Sequence, residues 1–192
     1  SLVIAADFIL RHKKGPIVAN VSTTRALDDL AEKYEVDIHR TKVGEVHVAK
    51  KMALVDAAIG GEGNGGVILP EVHLGRDAPV GVALALQYIT ELGKTLSEAV
   101  DSLPKYHIVK EKVTLGNISS HNVMHLAKTF LQGVDLDTTD GVKFIYPNSW
   151  VQARPSNTEP IIRIFAEAPS VETAQKLAGT IKDKILQVDR ES

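Results

Sequence analysis

Apolar and polar positions along the chain follow two periods, and the switches between them mark the elements. Leu2, Val3, Ala6, Phe8, Ile9 and Leu10 form a mostly apolar helical run, closed by residues 11–14 and broken by Gly15 and Pro16. Residues 17–21 are a short β-branched run that reads as a buried strand. Ser22, Thr23 or Thr24 can cap the next helix, whose apolar positions are Ala26, Leu27, Leu30, Ala31 and Tyr34. Asp28 and Asp29 fall in its first turns, where the helix dipole favours them. Residues 37–41 predict a second strand, and residues 44–56 a helix with Val48, Met52 and Val55 on one side. A glycine-rich loop, AAIGGEGNGGVILP, joins two apolar runs. Residues 77–92 form the clearest helix of this half, ending at Gly93, and Thr95 opens a short one over 96–102. Strands alternating with helices imply an α/β layer structure.

The pattern changes after Leu103 and Pro104, a linker signal. Residues 107–113 read as a strand and 122–131 as a helix stopped near Gly133. Asp140-Gly141 is a turn signal between 136–138 and 142–146, a hairpin pattern. Residues 161–168 are a strong strand, and Val171, Ala174, Leu177, Ala178, Ile181 and Ile185 mark a final helix. Strands grouped with two helices predict a small α+β unit.

Composition narrows the function classes. The chain has 192 residues, with 22 Lys+Arg against 24 Asp+Glu and a formal net charge of −2. That balance lacks the basic excess of a non-specific nucleic-acid binder, so no nucleic-acid partner is expected. No apolar stretch approaches the roughly 20 residues that span a bilayer, so no membrane partner is expected. Cysteine is absent, which excludes disulfides, thiolate metal sites and thiol nucleophiles. A cytoplasmic location is the expectation. The first residues already read as a structured element, as they would in a piece of a longer protein.

Three stretches carry candidate chemistry. GEGNGG at 61–66 fits G-x-G-x-x-G, but the extended VILP after it is not the helix a dinucleotide site needs, and Val67 stands where a P-loop has lysine. The loop is either a tight turn or a sugar site, in which the carboxylate of Glu62 and the amide of Asn64 would bind vicinal hydroxyls from one exposed loop. ARPSNTEP at 153–160 gathers the planar fork of Arg154 with Ser156, Asn157 and Thr158, between Pro155 and Pro160. It is either a turn of ordinary turn residues or an anion nest suited to phosphate. Lys42 follows a predicted strand, either as a surface lysine or as part of a site at a strand end. His121 and His125 are spaced i, i+4, but Asn122 stands where the metalloprotease pattern has glutamate, and no third ligand is in view. No metal ligands are assigned. His73, Arg76 and Asp77 would line a site or cap a helix.

Together, GEGNGG at 61–66, RPSNTEP at 154–160 and TKVGEVHVAKKM at 41–52 resemble the α-D-phosphohexomutase family. They are similar to its third-domain sugar loop, its fourth-domain phosphate loop and its third-domain lysine loop. The resemblance implies an α/β/α layered domain with a mixed sheet over 1–102. A small α+β domain with an antiparallel sheet and two helices would follow over 103–192. It implies the substrate-binding half of an enzyme that interconverts hexose 1- and 6-phosphates through a phosphoserine and a bisphosphate intermediate. Glu62 and Asn64 would hold sugar hydroxyls, and Lys42 would sit beside the reacting centre. Arg154, Ser156, Asn157 and Thr158 would clamp the phosphate. The implied partners are a hexose phosphate and the missing N-terminal domains. The implied cofactor is Mg2+, with ligands outside this chain. The family's phosphoserine and D-G-D-x-D-R metal motifs do not occur in this sequence, so the isolated chain is expected to be inactive. Gly66 stands where some bacterial relatives have histidine, so that residue's role does not carry over. A stand-alone, non-catalytic phosphosugar-binding module is the alternative, and phosphoglucosamine mutase is the alternative within the family.

Overall fold

The structure, a computed structural model, describes residues 1–116, 118–156 and 159–191. The backbone divides into two units, Ser1–Lys105 and Tyr106–Ser192. Among the described residues, no helix is long and apolar enough to cross a membrane.

The first unit contains, in order, α1 (Leu2–His12), β1 (Ile17–Asn20), α2 (Ala26–Tyr34), β2 (Ile38–Thr41), α3 (Glu45–Val55), β3 (Ile59–Gly61), β4 (Val67–Ile68), α4 (Ala78–Leu92) and α5 (Leu96–Asp101). Its sheet has the order β2-β1-β3-β4, with β1, β2 and β3 parallel and β4 antiparallel to β3. Strand side chains alternate between two cores. Ile17, Ala19, Ile59 and Val67 pack with Leu10, Leu27, Leu30 and Tyr88 of the helices on one face. Val18 and Ile68 pack with Val48 and Met52 of α3 on the other. Burial on both faces is why β1 reads as a continuous apolar run. Asp77 caps α4 by accepting a 2.9 Å bond from the Val80 amide, and Thr95 and Glu98 form a capping box at α5.

The buried polar side chains of this unit include Asp7, Asn20, Thr23, Thr41 and Glu62. Asp7 of α1 is fully buried, and its carboxylate accepts bonds from Lys33 Nζ, Tyr34 OH, Tyr88 OH and Arg11 Nε at 2.6–3.1 Å. Burial pushes its carboxyl up. Hydrogen bonds from Lys33, Tyr88 and Tyr34, with the charge of Lys33, outweigh that and hold it below its usual value.

The second unit contains β5 (His107–Thr114), α6 (Ser120–Ala127), β6 (Asp135–Asp137), β7 (Val142–Tyr146), β8 (Ser149–Pro155), β9 (Ile161–Ala168) and α7 (Val171–Glu191). Its sheet is antiparallel throughout, in the order β5-β9-β8-β7-β6. Ala178, Ile181 and Ile185 of α7 and Val123 and Ala127 of α6 pack on Val151, Ala153, Ile162 and Ile164. The opposite face carries Trp150, whose Nε1 donates a 2.6 Å bond to Glu167 Oε2, with Lys143 Nζ 4.2 Å from the ring centroid.

Two expectations change. The helix expected over 122–131 is α6, which ends at Ala127. The Thr129 and Phe130 amides bond to the carbonyls of Leu126 and Ala127, three residues back, so the chain tightens into turns. The stretch 153–160 is not loop from its start, because Ala153, Arg154 and Pro155 complete β8. Pro155 is tolerated at the strand end because β7 pairing stops at Ala153.

Candidate functional site

In the first unit the candidate residues collect at the C-terminal ends of parallel strands. Connections from β1 and β2 leave the sheet in opposite directions, so β1 and β3 flank a switch point, where open α/β sheets form binding crevices. Asn20 ends β1, Lys42 follows β2 and Glu62 follows β3.

The glycine loop is the turn of a β3–β4 hairpin. The Glu62 amide donates to the Gly66 carbonyl at 2.9 Å, and the Gly65 amide donates to the Glu62 carbonyl at 3.2 Å. Gly61 has φ of 155°, and a Cβ there would stand 2.0 Å from the Gly66 oxygen, so only glycine lets the hairpin close.

The exposed pair expected here is divided. Asn64 is exposed, and its Oδ1 accepts a long 3.4 Å bond from the Gly66 amide. Glu62 is 4 % exposed. Its Oε1 accepts 2.8 Å bonds from Asn20 Nδ2 and the Gly44 amide. Its Oε2 lies 3.7 Å from Arg76 Nη1. Glu62 therefore ties three loops together and keeps one oxygen less engaged. Arg76 also grips Glu45, through its amide and its Nε, each at 2.8 Å. Those backbone and side-chain bonds hold the Glu45 carboxyl below its usual value.

The sequence reading missed Asn20 and assigned Thr23 only to capping. Asn20 Oδ1 accepts from the Ser22 amide and Thr23 Oγ1, and Thr23 Oγ1 in turn accepts from the Gly63 amide at 3.0 Å. A polar residue closing an otherwise apolar strand was the available signal. Thr24 is the residue that turns the chain into α2, its Oγ1 accepting from the Ala26 amide. Lys42 is exposed, and no ion pair among the described residues engages its ammonium. Asp77 caps α4, and His73 Nε2 lies 3.0 Å from its Oδ2.

In the second unit, Arg154 lies directly opposite Arg163 in the β8–β9 ladder. The Nε of Arg154 is buried and has no hydrogen-bond partner among the described residues. Ser156 follows, its amide bonded to the Ile161 carbonyl at 2.9 Å. Arg163 Nη2 reaches Ser156 Oγ at 3.4 Å and Glu159 Oε2 at 2.8 Å. Arg163 was also missed, because cross-strand pairing and not spacing along the chain puts it beside Arg154. Asn157 and Thr158 lie outside the described residues. His121 and His125 are exposed on α6, and among the described residues no three His, Asp or Glu side chains are placed to hold a metal ion.

Residues 1–106 match the family model described as phosphoglucomutase/phosphomannomutase, alpha/beta/alpha domain III. Residues 108–184 match the C-terminal domain of the same family. A phosphoglucomutase/phosphomannomutase of Thermococcus kodakarensis is 40% identical over 178 residues, covering 92% of this chain and 39% of the relative. A phosphoglucosamine/phosphogalactosamine mutase of Sulfurisphaera tokodaii is 37% identical over 171 residues, covering 86% of this chain and 37% of the relative. The crystal structure of a phosphoglucomutase/phosphomannomutase family protein from Burkholderia thailandensis superposes with a TM-score of 0.80 at 22% identity. It covers 98% of this chain and 41% of that one. The chain thus spans about two-fifths of the length of the relatives it matches.

Proposed function

Because the chain belongs to the phosphoglucomutase/phosphomannomutase family, we propose that it is the substrate-recognising part of a phosphohexomutase. Its ligand is a hexose phosphate. Asn64 and the less engaged oxygen of Glu62 take sugar hydroxyls, while Asn20, Thr23 and Arg76 hold that loop in place. Lys42 supplies a positive charge beside the reacting centre. Arg154 and Ser156, with Arg163 and the neighbouring Asn157 and Thr158, take the phosphate that is not being transferred.

The observation that carries this reading is Arg154 at the head of RPSNTEP, whose Nε is buried without a hydrogen-bond partner among the described residues. A half-buried guanidinium short of acceptors is costly, and a phosphate reaching its accessible side supplies charge-assisted bonds. A planar donor fork recognises the anion and not the carbon that bears it. A phosphate site of this kind suits a reaction in which a bisphosphate turns over and presents either end.

Phosphoryl transfer is largely positioning and charge neutralisation. These residues contribute positioning. The transferred phosphoryl group would come from a phosphoserine outside this sequence. Magnesium, where the family uses it, would supply charge neutralisation. The described residues form no group that fits it.

The test is calorimetry of the chain with glucose 1-phosphate, mannose 1-phosphate and glucosamine 6-phosphate, alongside a mutase assay. Binding of at least one ester, lost by about 1.5–3 kcal/mol in Arg154→Ala, is expected, without turnover. Equal binding by wild type and Arg154→Ala overturns the reading. Turnover by the chain alone overturns its restriction to recognition. The name of the Sulfurisphaera tokodaii relative favours the amino sugar as the second reading, and the glucosamine ester is the arm that decides it.

A further inference from the structure

The face of the second sheet away from α6 and α7 carries a row of cations in cross-strand register. Lys112 of edge strand β5 lies directly opposite Arg163, and Arg163 lies directly opposite Arg154. Facing residues of an antiparallel ladder share a side of the sheet, so the side chains project together. The neighbours agree: Ile162 and Ile164 belong to the core, and Glu111 turns toward α7 to bond Lys182. Like charges directly opposite one another destabilise a sheet. Two successive like-charged pairs are therefore a feature that an anion would relieve.

The charge balance states which anion. Glu159 neutralises Arg163 through a 2.8 Å ion pair. Arg154 and Lys112 remain, and no ion pair among the described residues engages either. Two uncompensated positive charges match a phosphate monoester, which carries nearly two negative charges at neutral pH. Strands lie about 4.8 Å apart, so the Lys112 and Arg154 backbones are separated by about 10 Å across β9. A tetrahedral anion held between two long cationic side chains fits such a span. Lys112 is exposed, whereas Arg154 is half-buried, so one cation is fixed and the other free to close on the ligand.

We propose that Lys112 is a further phosphate-binding residue, the outer jaw of a clamp whose inner jaw is Arg154. This rests on the reading of Arg154 as an anion ligand. Lys110 supplies an internal control. It is on the same strand and face, one facing pair further along, with its ammonium 5.8 Å from the Phe165 ring centroid.

The experiment is calorimetry and thermal denaturation of the 192-residue chain with inorganic phosphate and with glucose 1-phosphate. The proteins are wild type, Lys112→Gln, Lys112→Arg, Lys110→Gln and Arg154→Ala. Lys112→Gln is expected to weaken both probes about three- to tenfold, the range between an exposed ion pair and a charged hydrogen bond. Without ligand it should melt no lower than wild type, because a repulsion has been removed. Lys112→Arg should restore affinity, and Lys110→Gln should leave it unchanged. Wild-type affinity in Lys112→Gln, with Arg154→Ala weakened, overturns the role of Lys112 and leaves the Arg154 reading standing. An equal loss in Lys110→Gln marks diffuse charge and also overturns it. So does a lowered melting temperature in ligand-free Lys112→Gln. Unchanged binding in Arg154→Ala, or no binding by wild type, overturns the underlying reading as well.

Discussion

The side-chain amide of Asn20 donates a 2.8 Å bond to Oε1 of Glu62, joining the end of β1 to the residue that follows β3. Both side chains are buried, and the same carboxylate oxygen holds the Gly44 amide after β2. A single acceptor thus fixes the loops after three parallel strands. Asn20→Leu removes the donor and leaves the Glu62 oxygen short of a partner. It should cost about 1–3 kcal/mol, read as a lower urea midpoint by circular dichroism, and should weaken hexose phosphate binding. An unchanged midpoint would show that the bond organises nothing.

Gly61→Ala tests the hairpin itself. Strain at a positive φ adds to the clash with the Gly66 oxygen, so a loss of about 2–4 kcal/mol is expected. The same urea titration measures it, and a near-neutral result would mean that the loop closes differently.

Asp7 predicts an acid limb to stability. Its carboxyl is held below its usual value in the folded chain, so the unfolded chain takes up the proton more readily. The stabilisation is fully present above the ordinary carboxylate value of about 3.9 and drains away as pH falls through the lower folded value. Asp7→Asn should lose about 2–4 kcal/mol near neutral pH, since Tyr88 and Lys33 lose their charged acceptor. Its melting temperature should also fall less steeply below about pH 4 than that of wild type. Parallel acid limbs in the two proteins would assign the effect elsewhere.

Trp150 is the sole tryptophan of the sequence, so its emission reports the second unit. Glu167→Leu removes the acceptor of its buried indole N–H. The emission-detected urea midpoint should fall by an amount equivalent to about 1–3 kcal/mol. An unmoved midpoint would mean that the indole finds another acceptor.

The order of elements in the first unit was legible because each has its own period and its own stop. Leu27, Leu30 and Ala31 mark a helix face, and the β-branched run of β1 marks a strand buried on both sides. The strand over 149–155 was harder to read. Pro155 argues against a strand, and only the early end of β7 removes the objection. The candidate site divides in the same way. The three loops were visible as clusters of unusual residues, but the burial of Glu62 was not, because a carboxylate among glycines carries no sign of the donors that will surround it.

Local chemistry along the chain therefore determined the elements, the glycine hairpin and the donor-rich stretch after Ala153, since each depends on residues within a few positions. Tertiary structure alone decided that Asn20 meets Glu62, that Arg76 braces the glycine loop, and that Lys112, Arg163 and Arg154 stand in one row. The cause is distance in sequence. Those partners are brought together by sheet order and ladder register, which are set by which apolar faces must be buried and not by any spacing between the residues themselves.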